Sequence, residues 1–135
     1  SQEIPYVICI PDFCWFIDLI YQARRNIRGF VENLFEKGWL QHIYFIAGIT
    51  LDGIEEVRGY PAYESFVFEK RGICLGGKVM ENPVFAFDDL SFLEQRRKER
   101  IGIGWIPPRN EQEKTKKIVV PLMKGGKDDD IDVDA

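Results

Sequence analysis

Two short stretches hold the residue types from which nucleotide chemistry is built. Gly72-x-x-x-x-Gly77-Lys78-Val79 differs in one residue from the phosphate loop G-x-x-x-x-G-K-[ST]. In that loop glycines let backbone amides close on phosphate oxygens, and the residue after lysine supplies a hydroxyl to magnesium. Val79 has no hydroxyl. The context differs too. A phosphate loop leaves a strand and opens a helix whose amides face the phosphates. Here the apolar run Gly72–Leu75 lies inside the motif, and Asn82-Pro83 blocks a helix soon after it. The pattern reads as a strand leaving through a Gly-Gly turn. The other stretch is the apolar run Val7–Ile10 followed by Pro11-Asp12-Phe13. A strand ending in two adjacent acids can hold magnesium through one and orient water with the other. Only Asp12 is present, and a helix N-cap is a sufficient role for it.

Other chemistries find less to work with. His42 has no Ser or Cys partner in any recognisable motif and is expected at the surface or a strand edge. One histidine and no Cys-x-x-Cys give no metal site. Cys9, Cys14 and Cys74 are odd in number, and Cys9 and Cys74 fall in apolar strand runs. They are expected to be free, buried thiols, which points to an intracellular compartment. Arg96, Arg97, Lys98 and Arg100, interrupted by Glu94 and Glu99, form a basic cluster. It reads either as a solvated helix end favoured by the helix dipole or as a surface for acidic groups. Trp15, Trp39 and Trp105 are widely spaced and are expected to serve packing.

The elements that would position these residues alternate between strand and helix. Tyr6–Ile10, between Pro5 and Pro11, reads as a strand buried on both faces, the mark of a parallel sheet. A helical stretch is expected from about Phe13 to Gly38, with Ile27, Phe30, Val31, Leu34 and Phe35 on one face. Ile43–Ile46 reads as a second buried strand, followed by a polar loop through Thr50, Asp52, Gly53, Glu55 and Glu56. Pro61 opens a short helix, and Gly72–Leu75 is a third strand closed by Gly76 and Gly77. Val84–Phe87 can add a brief extended piece. Asp88 and Asp89 are expected to cap a helix whose distal part is Glu94–Arg100. Ile101–Ile106 and Lys117–Leu122, joined by the polar segment Pro107–Lys116, predict a terminal hairpin. The pattern is that of an α/β sheet with an antiparallel edge.

At 135 residues, 45% apolar and 13% aromatic, the chain is globular rather than disordered. Its net charge of −4 arises in the tail, where five Asp (Asp128, Asp129, Asp130, Asp132, Asp134) follow Lys127. Residues 1–70 hold 6 bases and 10 acids, whereas residues 71–127 hold 12 bases and 7 acids. That bias is smaller than the basic footprint of an autonomous DNA-binding domain. Residues 126–135 are low-complexity and expected to be disordered. No run is long enough to insert in a bilayer, and no signal peptide is evident. The chain enters a strand within its first residues, as a piece of a longer protein would.

The segments VICIPDF (Val7–Phe13), EKGWLQHIYFIAGI (Glu36–Ile49), GICLGG (Gly72–Gly77), LSFLEQ (Leu90–Gln95) and GIGWIP (Gly102–Pro107) share one order and spacing. Over roughly residues 5–123 this order resembles the C-terminal half of FtsK/SpoIIIE-type motor domains. The likeness is greatest to the diverged ATPase modules of the type VII secretion motor, the EssC/EccC group. The resemblance implies a RecA-like, P-loop-NTPase-like fold over residues 1–125. Its mostly parallel, three-layer sheet would carry helices on both faces and an antiparallel C-terminal edge hairpin, with the phosphate-loop half missing from this chain. Asp12 falls at a degenerate Walker-B-like position with one acid lacking. The exit Ala47-Gly48-Ile49-Thr50 lacks the usual Thr-Gln type pair of the sensor strand. No catalytic or nucleotide-binding residue is assigned, and ATP and magnesium would belong to the parent protein.

The implied role is docking or regulation within a membrane-anchored translocation motor at the inner face of the cell membrane. The partner would be the upstream ATPase module, a neighbouring subunit or a small secreted protein. The alternative is the C-terminal fragment of a working DNA translocase, and DNA is a partner only in that reading. Docking is expected near Gly76, Gly77 and Lys78 and along Arg96, Arg97 and Arg100, because ligands gather at strand ends and bases are in excess there.

Overall fold

Tyr6–Ile10 and Ile43–Ala47 are rich in β-branched and aromatic residues, and both form strands in the computed structural model, which describes residues 3–121. The chain is mixed α/β and divides into two units, Ser1–Arg71 and Gly72–Ala135. The acidic tail expected to be disordered lies outside the described residues.

In the first unit the strands β1 (Tyr6–Ile10) and β2 (Ile43–Ala47) pair in parallel, with Ile8 opposite Phe45. Between them run α1 (Phe13–Gln22), α2 (Arg25–Lys37) and a 3-10 turn, Gly38–Gln41. After β2 come α3 (Leu51–Val57) and α4 (Pro61–Val67). Asp12 caps α1 by accepting from the Trp15 amide at 3.0 Å. Phe13, Ile17 and Ile20 then turn one face of α1 inward and are buried. The core is aromatic. The Phe13 ring lies 4.6 Å from Phe66 and 6.0 Å from Phe35, and Phe35 meets Phe45 edge-on at 4.9 Å.

This core explains why the expected single helix is broken. A continuous helix would separate Phe13 from Phe35 by about 33 Å. Ala23 instead turns extended, its amide closing on the Leu19 and Ile20 carbonyls, and the chain folds back so that both rings share one core. The segment after β2 also departs from expectation, because it is helical rather than a loop. Thr50 caps α3 by accepting from the Gly53 amide at 3.0 Å, and Ile54 and Val57 are buried. Gly53 lowers intrinsic helicity yet is needed there, since a Cβ would stand 2.5 Å from Cys14 Sγ.

The two strands are not buried on both faces. Only Ile10 of β1 is buried; Tyr6 is 68% exposed, Val7 56% and Ile8 42%. Cys9 is exposed as well, contrary to the buried thiol expected. Trp15 and Trp39 are 61% and 60% exposed rather than packed, whereas Trp105 is buried.

The second unit is a separate antiparallel sheet of β3 (Cys74–Gly77), β4 (Glu99–Ile106) and β5 (Lys116–Val119), in the order β3-β4-β5. The expected terminal hairpin is β4–β5, with Ile103 opposite Val119. β3, expected beside the parallel strands, pairs with β4 instead, with Cys74 opposite Trp105. Val79, Phe87 and Trp105 form the buried centre, with Cys74, Phe85 and Leu90 against it. Val84–Phe87 forms no strand, because Asn82 Oδ1 gathers the Val84 and Phe85 amides into a turn.

Ser91, not Asp88 or Asp89, caps α5 (Phe92–Arg96). Its hydroxyl accepts from the Glu94 amide at 3.3 Å, and Glu94 accepts from the Ser91 amide at 2.8 Å. This reciprocal box was present in the sequence as Ser91-x-x-Glu94. The helix stops at Arg96, and Glu99 and Arg100 belong to β4. Asp89 serves elsewhere: it accepts from the Thr115 amide at 2.7 Å and from the Thr115 hydroxyl, pinning the loop before β5.

Candidate functional site

The carboxyl ends of β1 and β2 are the place where a parallel sheet presents ligand-binding groups. They are stitched together by backbone: the Gly48 amide donates to the Ile10 carbonyl at 2.9 Å, and the Phe13 amide donates to the Gly48 carbonyl at 3.0 Å. A Cβ on Gly48 would come within 2.7 Å of the Pro11 carbonyl oxygen, so only glycine permits this approach. The two oxygen-bearing side chains at these ends, Asp12 and Thr50, are engaged as helix caps. Cys14 donates to the Gly53 carbonyl at 3.1 Å. Burial first, then the negative charges of Glu56, Asp12 and Asp18, push its thiol above the ordinary range and away from nucleophilic use.

Gly72–Val79 does not fit a nucleotide phosphate. Its centre, Cys74–Gly77, is strand hydrogen-bonded to β4, and Val79–Glu81 is one 3-10 turn rather than a helix. Gly76 and Gly77 take φ of +63° and +64° across a bulge against β4, a conformation that glycine alone adopts freely. Cys74 is half-buried, and burial raises its thiol pKa, with a partly offsetting hydrogen bond to Asn82. Among the described residues no group of three or more His, Cys, Asp or Glu is arranged to hold a metal ion. His42 sits at the strand edge as expected, with φ of +56°, its ring paired with Glu3 at 2.8 Å.

The residues expected to dock a partner do converge. Gly77 lies opposite Glu99, and a Cβ on Gly76 would stand 3.8 Å from the Arg100 carbonyl oxygen. α5 packs on the 3-10 turn that follows Lys78. Gly76–Lys78 and Arg96–Arg100 therefore share one end of the antiparallel sheet. The local acids are occupied. Glu94 is in the Ser91 box, which holds its carboxyl below the usual range. Glu99, whose side chain is 8% exposed, pairs with Lys117 at 3.3 Å, and Glu81 lies 3.8 Å from Lys78. Among the described residues no carboxylate lies within ion-pair distance of Arg96, Arg97, Lys98 or Arg100. Arg96 stacks over the Phe92 ring at 5.1 Å, and all four bases are exposed.

A second surface was not singled out from the sequence. On one face of β1–β2, Phe45 meets the α2 ring of Phe35. The alternate residues point the other way: Val7 and Cys9 on β1, Tyr44 and Ile46 on β2. Val7 is 56% exposed, Tyr44 45% and Ile46 62%, and Cys9 is exposed. The signal was available, because YVICI and IYFIA are apolar at every position, which a strand with one wet face does not require.

The geometry defines an α/β protein of two units with a basic sheet end and an uncovered apolar sheet face. Compared with family models, curated proteins and solved structures, the chain gives no match. No helix among the described residues is long and apolar enough to cross a membrane.

Proposed function

We propose that this chain is a docking module of a larger translocation motor of the FtsK/SpoIIIE kind. It takes no nucleotide itself, seats on the motor's ATPase module through its parallel strands, and receives an acidic protein segment at its basic end. The observation that carries the reading is the uncovered apolar face of β1–β2. Parallel strands are found almost only in sheets covered on both faces. In a RecA-like parent, the upstream ATPase module or a neighbouring subunit supplies that cover and further strands. Removing the exposed parts of Val7, Tyr44 and Ile46 from water is worth roughly 3–5 kcal/mol, enough to bias assembly. ATP and magnesium act in the parent, with no step assigned to residues of this chain.

Cys9 reports on the reading directly, because its thiol lies on the face in question. Iodoacetamide should alkylate Cys9 quickly in the chain alone. In the full-length parent, or with the upstream module bound, the rate should fall about tenfold or more, equivalent to about 1.4 kcal/mol of protection. Cys9 that labels equally fast in the assembled parent would refute the seating. At the basic end, Arg96, Arg97 and Arg100 changed together to Glu should abolish binding of an acidic segment and leave melting nearly unchanged, as exposed side chains allow. Binding of duplex DNA that persists at about 200 mM salt would favour the DNA-translocase reading instead.

A further inference from the structure

We propose that the acidic segment Asp128–Asp134 occupies the basic sheet end of its own chain, acting as a built-in competitor for the acidic partner. The competition rests on the docking function just argued; the contact in cis stands on independent observations.

The first is the course of β5. β5 runs antiparallel to β4, with Lys116 opposite Ile106 and Val119 opposite Ile103, so it advances toward Arg100. The Val120 amide donates to the Gly102 carbonyl at 2.7 Å, placing Pro121 beside the start of β4, two residues from Arg100. Asp128 follows after the spacer Leu122–Lys127. Six residues reach about 20 Å at most, so the acids are tethered within range of Arg96–Arg100.

The second is complementarity. Five carboxylates fall within the seven residues 128–134. They meet four exposed bases that have no acid partner among the described residues. The nearby acids are already committed, Glu94 to Ser91, Glu99 to Lys117 and Glu81 to Lys78, so little local charge opposes the approach. The two apolar residues of the segment, Ile131 and Val133, also find counterparts, since Ile101 is 90% exposed and Leu93 77%. Lys124 and Lys127 lie in the spacer, where their charge disfavours the spacer itself on this surface and leaves the site to the aspartates.

Tethering makes weak attraction sufficient. A spacer of six residues gives an effective concentration on the order of 1 mM. With an intrinsic dissociation constant of about 0.5 mM, the segment would weaken a competing acidic ligand about threefold. An external partner must then present more charge, or better-placed charge, than the chain's own tail.

The test uses the full chain and a variant with Asp128, Asp129, Asp130, Asp132 and Asp134 all changed to Asn. In 15N–1H spectra the amide signals of Gly76–Lys78 and Arg96–Gly102 should move in the variant. The same signals should move the same way in the unaltered chain between about 0.05 and 1 M salt, as screening shortens to roughly 3 Å, while those of Phe13–Gln22 hold still. Basic-end signals that stay fixed under both treatments overturn the proposal. A hepta-aspartate peptide should bind the variant about threefold more tightly than the unaltered chain; equal affinity overturns the competition. If the signals move but the peptide binds neither protein, the contact in cis is upheld and the docking function of the preceding section falls.

Discussion

Gly53→Ala sets two opposed effects against each other. Alanine in place of glycine inside a helix gains about 1 kcal/mol of intrinsic helicity, so a reading from α3 alone predicts a more stable protein. The surroundings reverse the sign. The new methyl would stand 2.5 Å from Cys14 Sγ, 3.1 Å from Thr50 Oγ1 and 3.4 Å from Ile49 Cγ1. Sγ cannot move away without leaving the Gly53 carbonyl, to which it donates at 3.1 Å. Overpacking of this kind costs about 1–3 kcal/mol. Disturbing the Thr50 cap adds about 1 kcal/mol, so the net is a loss of about 1–3 kcal/mol. Urea unfolding followed by tryptophan fluorescence would read it as a lower midpoint at unchanged slope. Cys14→Ala removes the obstructing sulfur, so the double variant should recover about 1 kcal/mol or more relative to additivity. A stabilised single variant, or strictly additive singles, would refute the close contact between α1 and α3.

Ser91→Ala removes the oxygen that receives the Glu94 amide and should lower the stability of the second unit by about 1 kcal/mol, seen as earlier amide exchange in Phe92–Arg96. The Asp89 carboxyl is held below its ordinary value chiefly by the Thr115 hydroxyl. Its stabilising effect is therefore complete above the unfolded value of 3.8 and fades as pH falls through the lower folded value. Asp89→Asn should flatten the loss of stability in that acidic window, and an unchanged profile would deny the link. Of the three thiols, Cys9 should alkylate first at neutral pH, while Cys14 and Cys74, raised by burial, should need more alkaline conditions than an ordinary thiol.

What could be read in advance tracks the range over which each element is decided. β1, β2, the Pro61 helix and the β4–β5 hairpin are encoded in short runs with local stops, and so is the Asp12 cap. The break at Ala23 has no such signal. The apolar spacing of Phe13, Ile17, Ile20, Ile27, Val31 and Leu34 continues in phase through it, and only the shared aromatic core of Phe13 and Phe35 forces the turn. α3 was hidden because Gly53 answers to Cys14, 39 residues away in sequence. The convergence of Gly76–Lys78 with Arg96–Arg100 depends on the pairing of β3 with β4, which sequence spacing does not specify. The apolar character of β1 and β2 was plain, but the exposure of their second face depends on how the helices pack, which local sequence does not specify.

The same two strands govern how the chain behaves among its own copies. Tyr6–Ile10 offers five consecutive residues of high β propensity, without charge or proline, largely exposed. Such a run can recruit a strand from another molecule. The flanks restrain it: Pro5 and Pro11 each lack an amide donor, and Glu3 and Asp12 bring charge to either end. A foreign strand can register over the five residues between the prolines and no farther. In isolation the chain should associate reversibly and more at high concentration, in short-lived clusters rather than long fibres.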